Sequence, residues 1–325
     1  MILVTGATGF LGKAIVSALV KQGHQVRILA RQSSDTTFFA EYPDVSIFLG
    51  DVRDVASLLT ALQGCQCVIH AAALFRFWGK QTDFFDTNVT GTQNVLQAAV
   101  QVQVPRVIFT STIAVIGTPP LGAMITEETR PRPVDAYQKS KYQAEQLALQ
   151  FEQDHDIEVV ILRLGALYGP GGRYAFNRLF FEEFLRGWRI QVSGGRHITF
   201  PCFIEDAAKG CTQAITLGQS GQIYNISGQS LSHIDLNRKI SQAAQKTNWR
   251  LNLPKWLMLG TASFLEIIAK LTHREPFYPL NLKLYVFQDW VVDSHKAETD
   301  LEFQATPIED GITQTLAWYR SLGVG

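Results

Sequence analysis

Apolar residues along the chain fall alternately into short continuous runs and longer stripes of helical period. Met1–Thr5 is the first run; glycines follow it, then an amphipathic stretch over Phe10–Gln22. Val26–Ala30, Val45–Leu49 and Cys67–Ala71 repeat the short pattern. An amphipathic segment from about Asp83 to Gln103 leads into Arg106–Thr110, and another over Ala136–Asp154 leads into Val159–Leu162. Short runs without polar alternation are what strands covered on both faces require, and parallel neighbours need helices as crossovers. The pattern therefore predicts an α/β fold: a doubly wound, Rossmann-type parallel sheet with right-handed crossovers.

The rhythm breaks after Gly165. The chain is rich in Gly, Pro and aromatic residues up to Pro201, and helices are then expected near Asp206–Leu217, Ser232–Thr247, Pro254–Thr272 and Pro307–Leu322. Tyr224–Ile226 reads as one more strand. We expect an NAD(P)-binding domain over residues 1–164, joined by a return of the chain near 206–227. Residues 165–325 are expected to form a smaller, mostly helical substrate domain over the carboxyl ends of the strands, where ligands sit in such sheets.

Composition narrows the function classes. The 325 residues carry 29 Lys plus Arg against 29 Asp plus Glu, and the basic residues are scattered, which argues against a nucleic-acid partner. Cys65, Cys67, Cys202 and Cys211 form no CxxC pair and have no histidine at zinc-ligand spacing, so buried thiols and no metal site are expected. Because the first strand already begins at Ile2, no signal peptide and a cytoplasmic location are expected. Trp256–Leu271 is apolar but interrupted by Glu266 and Lys270, too short and charged to cross a bilayer. A cofactor-side or lid helix is one reading of it; a membrane-surface helix over 256–271 is the other.

The chemistry begins at Thr5-Gly6-Ala7-Thr8-Gly9-Phe10-Leu11-Gly12, between the first strand and the first helix. Glycines here permit a tight turn and close approach of a pyrophosphate, while the helix N-terminus supplies free N–H groups. At the end of strand two stands Ala30-Arg31-Gln32-Ser33-Ser34, with no acid before Asp35. A carboxylate there would hold the ribose hydroxyls of NAD; Arg31 instead favours the 2′-phosphate of NADP(H), with NAD(H) left open. Asp51 and Val52 after strand three suit an adenine amine and ring face. Ala71, Ala72 and Ala73 after strand four let a ligand lie against the backbone.

Tyr137 and Lys141 lie four residues apart at the start of a predicted helix and so share a face. A phenol of ordinary pKa about 10 becomes a usable acid or base when a nearby ammonium lowers it. Thr110-Ser111-Thr112, at the end of strand five, offers hydroxyls to hold a substrate oxygen as charge develops on it.

Together, TGATGFLG, the acid after strand three, the hydroxyls after strand five and YxxxK resemble the extended short-chain dehydrogenase/reductases. Tyr168-Gly169-Pro170-Gly171 and Phe203-Ile204-Glu205-Asp206 carry the resemblance through the later chain. It implies Tyr137 as acid/base, Lys141 as partner of Tyr137 and the nicotinamide ribose, and Thr112 as the catalytic hydroxyl. It also implies Asn88 as support for the lysine and a relay water. Ala71–Trp78 and Arg274-Glu275-Pro276-Phe277 are similar to the branch of dihydroflavonol-reductase-like and hopanoid-associated sugar-epimerase-like proteins. Family members often dimerise through four helices, which makes Asp83–Gln103 and Ala136–Asp154 the candidate homodimer face. Arg163-Leu164 and Ile116-Gly117 depart from the usual Arg-Pro and Tyr-Gly, which weakens a nucleotide-sugar reading.

Phe75, Arg76, Trp78 and Tyr168 are the expected substrate-pocket residues, with Arg76 near a polar tail of an apolar carbonyl substrate. His197 reads as isolated and structural. Two activities follow: an NADP(H)-dependent oxidoreductase, or a sugar epimerase/dehydratase that retains its cofactor. A non-catalytic dinucleotide-binding protein is the third reading.

Overall fold

The computed structural model describes residues 1–324. Its centre is a seven-stranded sheet. In chain order the strands are β1 (Ile2–Thr5), β2 (Val26–Ala30), β3 (Ser46–Leu49), β4 (Cys67–His70), β5 (Arg106–Thr112), β6 (Glu158–Leu164) and β7 (Ile223–Ile226). They are ordered β7-β6-β5-β4-β1-β2-β3, and every neighbouring pair is parallel. The order reverses between β1 and β4, which opens a crevice at their carboxyl ends.

Each face of the sheet is covered, as the continuous apolar strands demand. On one side Ile15, Val16 and Leu19 of the helix Phe10–Lys21 pack with Ala207, Ala208 and Cys211 of the helix Ile204–Gln213. On the other, the helices Val55–Leu62, Gly91–Gln101 and Ala136–Asp154 bury Leu58, Leu96, Ala144 and Ala148. A third apolar cluster joins Tyr168, Phe181 and Phe203 to the helices His233–Ala243 and Ile308–Ser321. All four cysteines are buried and unpaired.

Three features differ from the sequence pattern. The helix expected over Asp83–Gln103 is α-helical at Gln81–Phe85, π-helical at Asp86–Thr90 and α-helical again at Gly91–Gln101. Strands β5 and β6 extend to Thr112 and Leu164, and β7 begins at Ile223. Three small strand pairs were not anticipated: Ala166–Tyr168 with Pro201–Phe203, Ile198–Thr199 with Leu231–Ser232, and Ile190–Val192 with Leu251–Leu253. Each strand has two or three residues and a partner more than thirty positions away, so no local alternation announces it.

Candidate active site

A cavity of about 570 Å³ runs along the carboxyl ends of β1, β2, β4 and β5 and beneath the C-terminal half. Its first section is the loop from Gly6 to Gly12. Gly6 has φ +68°, and a Cβ there would lie 2.6 Å from the Ala72 nitrogen; one on Gly12 would lie 2.2 Å from the Gly6 carbonyl oxygen. Side chains are thus excluded where strand, loop and helix meet. The helix that follows has Gly9 as its N-cap, with no side-chain cap and no acid in the first turn. Its first N–H groups remain available to an anion, at the positive end of the helix dipole. The cradle therefore fits a dinucleotide pyrophosphate.

Gly6, Thr8, Gly9, Phe10, Leu11 and Gly12 all line this cavity, as do Arg31, Ser34, Asp51 and Val52 and the run Ala71–Ala73. Arg31 is exposed at the rim, and Ser34 closes a turn by donating its N–H to the Arg31 carbonyl at 2.9 Å. Ser33 does not line the cavity, and the Asp35 carboxylate accepts bonds from the Thr37 N–H and hydroxyl instead of facing the site. Asp51 accepts from the Arg53 backbone N–H (2.9 Å), Nε (3.0 Å) and Nη2 (2.8 Å). Chiefly through the Arg53 side chain, its carboxyl stays below the ordinary range.

The second section is built on the helix Ala136–Asp154. Asp135 caps it, its carboxylate accepting from the Gln138 N–H at 2.7 Å while Gln138 Oε1 accepts from the Asp135 N–H at 3.3 Å. This reciprocal box fixes the first turn, from which Tyr137 and Lys141 enter the cavity. The three hydroxyls of β5 are not equivalent. Thr110 donates to the His70 carbonyl at 3.1 Å, and Ser111 donates to Glu145 Oε1 at 2.5 Å. Thr112 Oγ1 accepts from the Ala114 N–H at 3.2 Å, keeps its own proton to donate, and lines the cavity with Tyr137, whose phenol pKa it acts to lower. Of the three, only Thr112 is placed to share an oxygen with the phenol.

The electrostatics depart from expectation. Burial pushes the Tyr137 phenol above its ordinary range, against a lowering contribution from Thr112. Lys141 is not the counterweight: its Nζ donates to the Thr110 carbonyl at 2.7 Å and lies 4.2 Å from the centre of the Phe109 ring. Burial brings the ammonium down to about 7, opposed by the charge of Glu145 one turn further on. Glu145 is itself held by Arg163, with Nε at 3.0 Å from one carboxylate oxygen and Nη2 at 2.8 Å from the other. Both side chains are almost wholly buried.

Asn88, on the π-helical turn, makes no bond to Lys141. Its Oδ1 accepts from the Leu74 N–H at 2.7 Å, and its Nδ2 donates to the Leu74 carbonyl (3.1 Å) and to Ser140 Oγ (2.9 Å). It thus clamps the loop after β4 to the Tyr137 helix. Below it, Thr5 Oγ1 lies 2.7 Å from His70 Nδ1 and Thr92 Oγ1 lies 3.0 Å from Nε2. The Thr92 hydroxyl donates to the Asn88 carbonyl at 2.6 Å, so it accepts from Nε2–H and Thr5 donates to Nδ1. Burial drives this imidazole down to about 3, so it stays neutral.

The third section is apolar. The Phe75 ring lies 4.7 Å from that of Tyr137, and Phe77, Tyr174, Tyr285, Leu282 and Val286 continue the wall. Three expected pocket residues are elsewhere. Arg76 is exposed, Trp78 is half-buried, and neither lines the cavity. Tyr168 packs in the core with Phe176, Phe181 and Phe203, because its strand pairs with Pro201–Phe203 and turns the ring inward. His197 is not isolated: its Nδ1 lies 3.1 Å from Asp289 Oδ1. Leu282, Tyr285 and Val286 were missed by sequence reasoning. They reach the site from about 150 residues beyond Tyr137 through a Tyr285 hydroxyl bond to Asp135 (3.2 Å), and no motif marks them.

Fold and cavity define a Rossmann-type, NAD(P)-binding enzyme. The chain belongs to the NAD dependent epimerase/dehydratase family, whose model matches residues 2–227, and so to the extended short-chain dehydrogenase/reductases. It is 28% identical to a putative dihydroflavonol 4-reductase of Synechocystis, over 98% of this chain and 94% of that one. It is 32% identical to a 4-hydroxy-2-methyl-3-oxo-4-farnesyl-3,4-dihydroquinoline-1-oxide ketoreductase of Stigmatella aurantiaca, over 68% and 66% of the two chains. Among solved structures, that of gox2253 superposes with a TM-score of 0.85 at 28% identity, covering 99% of this chain and 98% of the other.

Proposed function

We propose that the protein is an NADP(H)-dependent oxidoreductase acting on a carbonyl or secondary alcohol of a small apolar molecule. The observation that carries this reading is the convergence of Thr112, Tyr137 and Lys141 with the glycine cradle and an aromatic wall on one cavity. When bound, the nicotinamide supplies or takes up the hydride.

The chain's own residues then divide the remaining work. The Gly6–Gly12 backbone and the free helix N-terminus would hold the pyrophosphate, Val52 and Asp51 would receive the adenine, and Ala71–Ala73 would leave room for the ligand to lie on the backbone. Arg31, with Ser34 beside it, holds the 2′-phosphate. The Thr112 hydroxyl donates to the substrate oxygen and orients it. In the reductive direction Tyr137 gives its proton to that oxygen; in the oxidative direction it takes the proton back. Lys141 holds the ribose and supplies positive charge beside the phenol. That requires its ammonium to turn from the Thr110 carbonyl when the cofactor binds. Asn88 keeps the post-β4 loop and the Tyr137 helix in register. Residues 1–164 with the return near 206–227 are proposed as the cofactor-binding domain, and the remainder of 165–325 as the part that selects the substrate.

Phe75, Phe77, Tyr174 and Tyr285 favour an apolar, cyclic or aromatic carbonyl compound. The names of the Synechocystis and Stigmatella relatives, both reductases, support reduction over epimerisation. The test is NADPH oxidation with a panel of apolar cyclic ketones by wild type and Tyr137→Phe. The variant is expected to lose on the order of 10²–10⁴-fold in kcat while binding NADPH normally. Equal rates in the two proteins would remove Tyr137 from the chemistry.

A further inference from the structure

The helix Lys255–Thr272 has a pattern that the active site does not use. Only Ala262 and Ala269 are buried on it. Its outward side carries Trp256 (73% exposed), Phe264 (62%), Ile267 (59%) and Leu271 (78%), with Leu257 and Ile268 also open. An ordinary surface helix turns such residues inward. Trp188 and Trp249, both exposed, stand just before the strand pair Ile190–Val192 and Leu251–Leu253 that leads into this helix. A contiguous apolar face of this kind marks a contact surface.

The charges around the face indicate what covers it. Exposed cations bracket the helix: Lys255 at its first position, then Lys270 and Arg274 at its far end. The two acids of the segment are both committed to the protein. Glu266 accepts the Leu280 N–H at 2.8 Å, and Glu275 accepts the Tyr174 hydroxyl at 2.5 Å. No acid occupies the first turn, where the helix dipole would favour one. In a symmetric antiparallel pairing, a second copy would set Lys255 of one helix against Lys270 and Arg274 of the other, like charge against like. An apolar face with tryptophan at one end and cations at both matches an anionic lipid surface instead.

We infer that Lys255–Thr272 is a membrane-surface docking element that lies on anionic phospholipid with its outward apolar side at the acyl boundary. No helix among the described residues is long and apolar enough to cross a membrane, so the contact is peripheral. The segment that follows the helix leads directly to the cavity: Asn281 Nδ2 donates to the Phe77 carbonyl at 3.1 Å, and Leu282, Tyr285 and Val286 line the wall. Docking therefore anchors the element whose continuation forms part of the cavity wall. The inference stands independently of the redox chemistry proposed above, since its readout is binding and not turnover.

The experiment is co-sedimentation of the full chain with phosphatidylcholine vesicles, with and without phosphatidylglycerol, over a salt series. Binding is expected to vesicles containing phosphatidylglycerol and to weaken as salt rises. Lys255→Glu with Lys270→Glu should cut the affinity on the order of tenfold or more, and Phe264→Glu with Ile267→Glu should abolish it. Both pairs are at exposed positions, so wild-type thermal unfolding and NADPH binding are expected to persist. Three results would overturn the inference: no binding of wild type to anionic vesicles at low salt, binding indifferent to both pairs, or a wild-type dimer that Phe264→Glu with Ile267→Glu converts to monomer.

Discussion

At the scale of single residues, the proposed preference for NADP(H) rests on one guanidinium. No acid precedes Asp35 after the strand, Asp35 is turned to Thr37, and Asp51, which feels the charge of Arg31, is bonded to Arg53. Arg31→Asp is predicted to lower the NADPH-to-NADH preference, read from kcat/KM for each, by about tenfold or more, the worth of a charge-assisted bond to phosphate. An unchanged ratio would place the 2′-phosphate elsewhere. Lys141 makes a second prediction. Its folded pKa of about 7 lies below the ordinary lysine value of about 10.4. Between those pH values the unfolded chain binds more protons, so this group makes the cofactor-free protein more stable as pH rises from 7 towards 10. Denaturant unfolding at pH 7 and pH 9 should show a smaller rise in Lys141→Met than in wild type. Tyr137, Lys141 and the glycines were legible because local spacing defines them. Which of three consecutive hydroxyls serves the site is not set by spacing: the family resemblance alone pointed to Thr112, and the physical reason lies in His70 and Glu145, which withdraw Thr110 and Ser111 from 40 and 34 positions away.

At the scale of elements, the helix Ala136–Asp154 is positioned at two points. Its first turn is fixed by the Asp135–Gln138 box, and its middle is pinned to β5 and β6 through Ser111, Glu145 and Arg163. Removing one member of a buried ion pair strands the other charge, so Glu145→Gln is predicted to cost about 3–5 kcal/mol in denaturant unfolding. Glu145→Leu combined with Arg163→Met should cost less than either single change. A double variant as unstable as the sum of its parts would mean that the two side chains do not act as a pair. Strand and helix order was readable from apolar runs and helical stripes. The π-helical turn at Asp86–Thr90 was not: five residues are too few for its wider period to be told from that of an α-helix. That turn nevertheless carries the Asn88 clamp.

At the scale of the whole molecule, the first two-thirds of the chain build the sheet and cradle, while later segments complete the cavity wall. Phe75 lines the cavity because it follows a strand end at the crevice, a position local order makes readable. Tyr168 was misread because its fate depends on a three-residue strand pairing with Pro201–Phe203. Leu282 and Tyr285 left no trace in local pattern, since only the folded chain brings them to Phe77 and Asp135. The central claim is net hydride transfer between nicotinamide and substrate, as opposed to transient oxidation with the cofactor returned unchanged. Its most direct test is turnover of an apolar ketone with NADPH carrying deuterium at the transferable C4 position. The account predicts one deuterium on the product carbinol carbon for each NADPH oxidised. Product formed without the label, and with NADPH conserved, would contradict it.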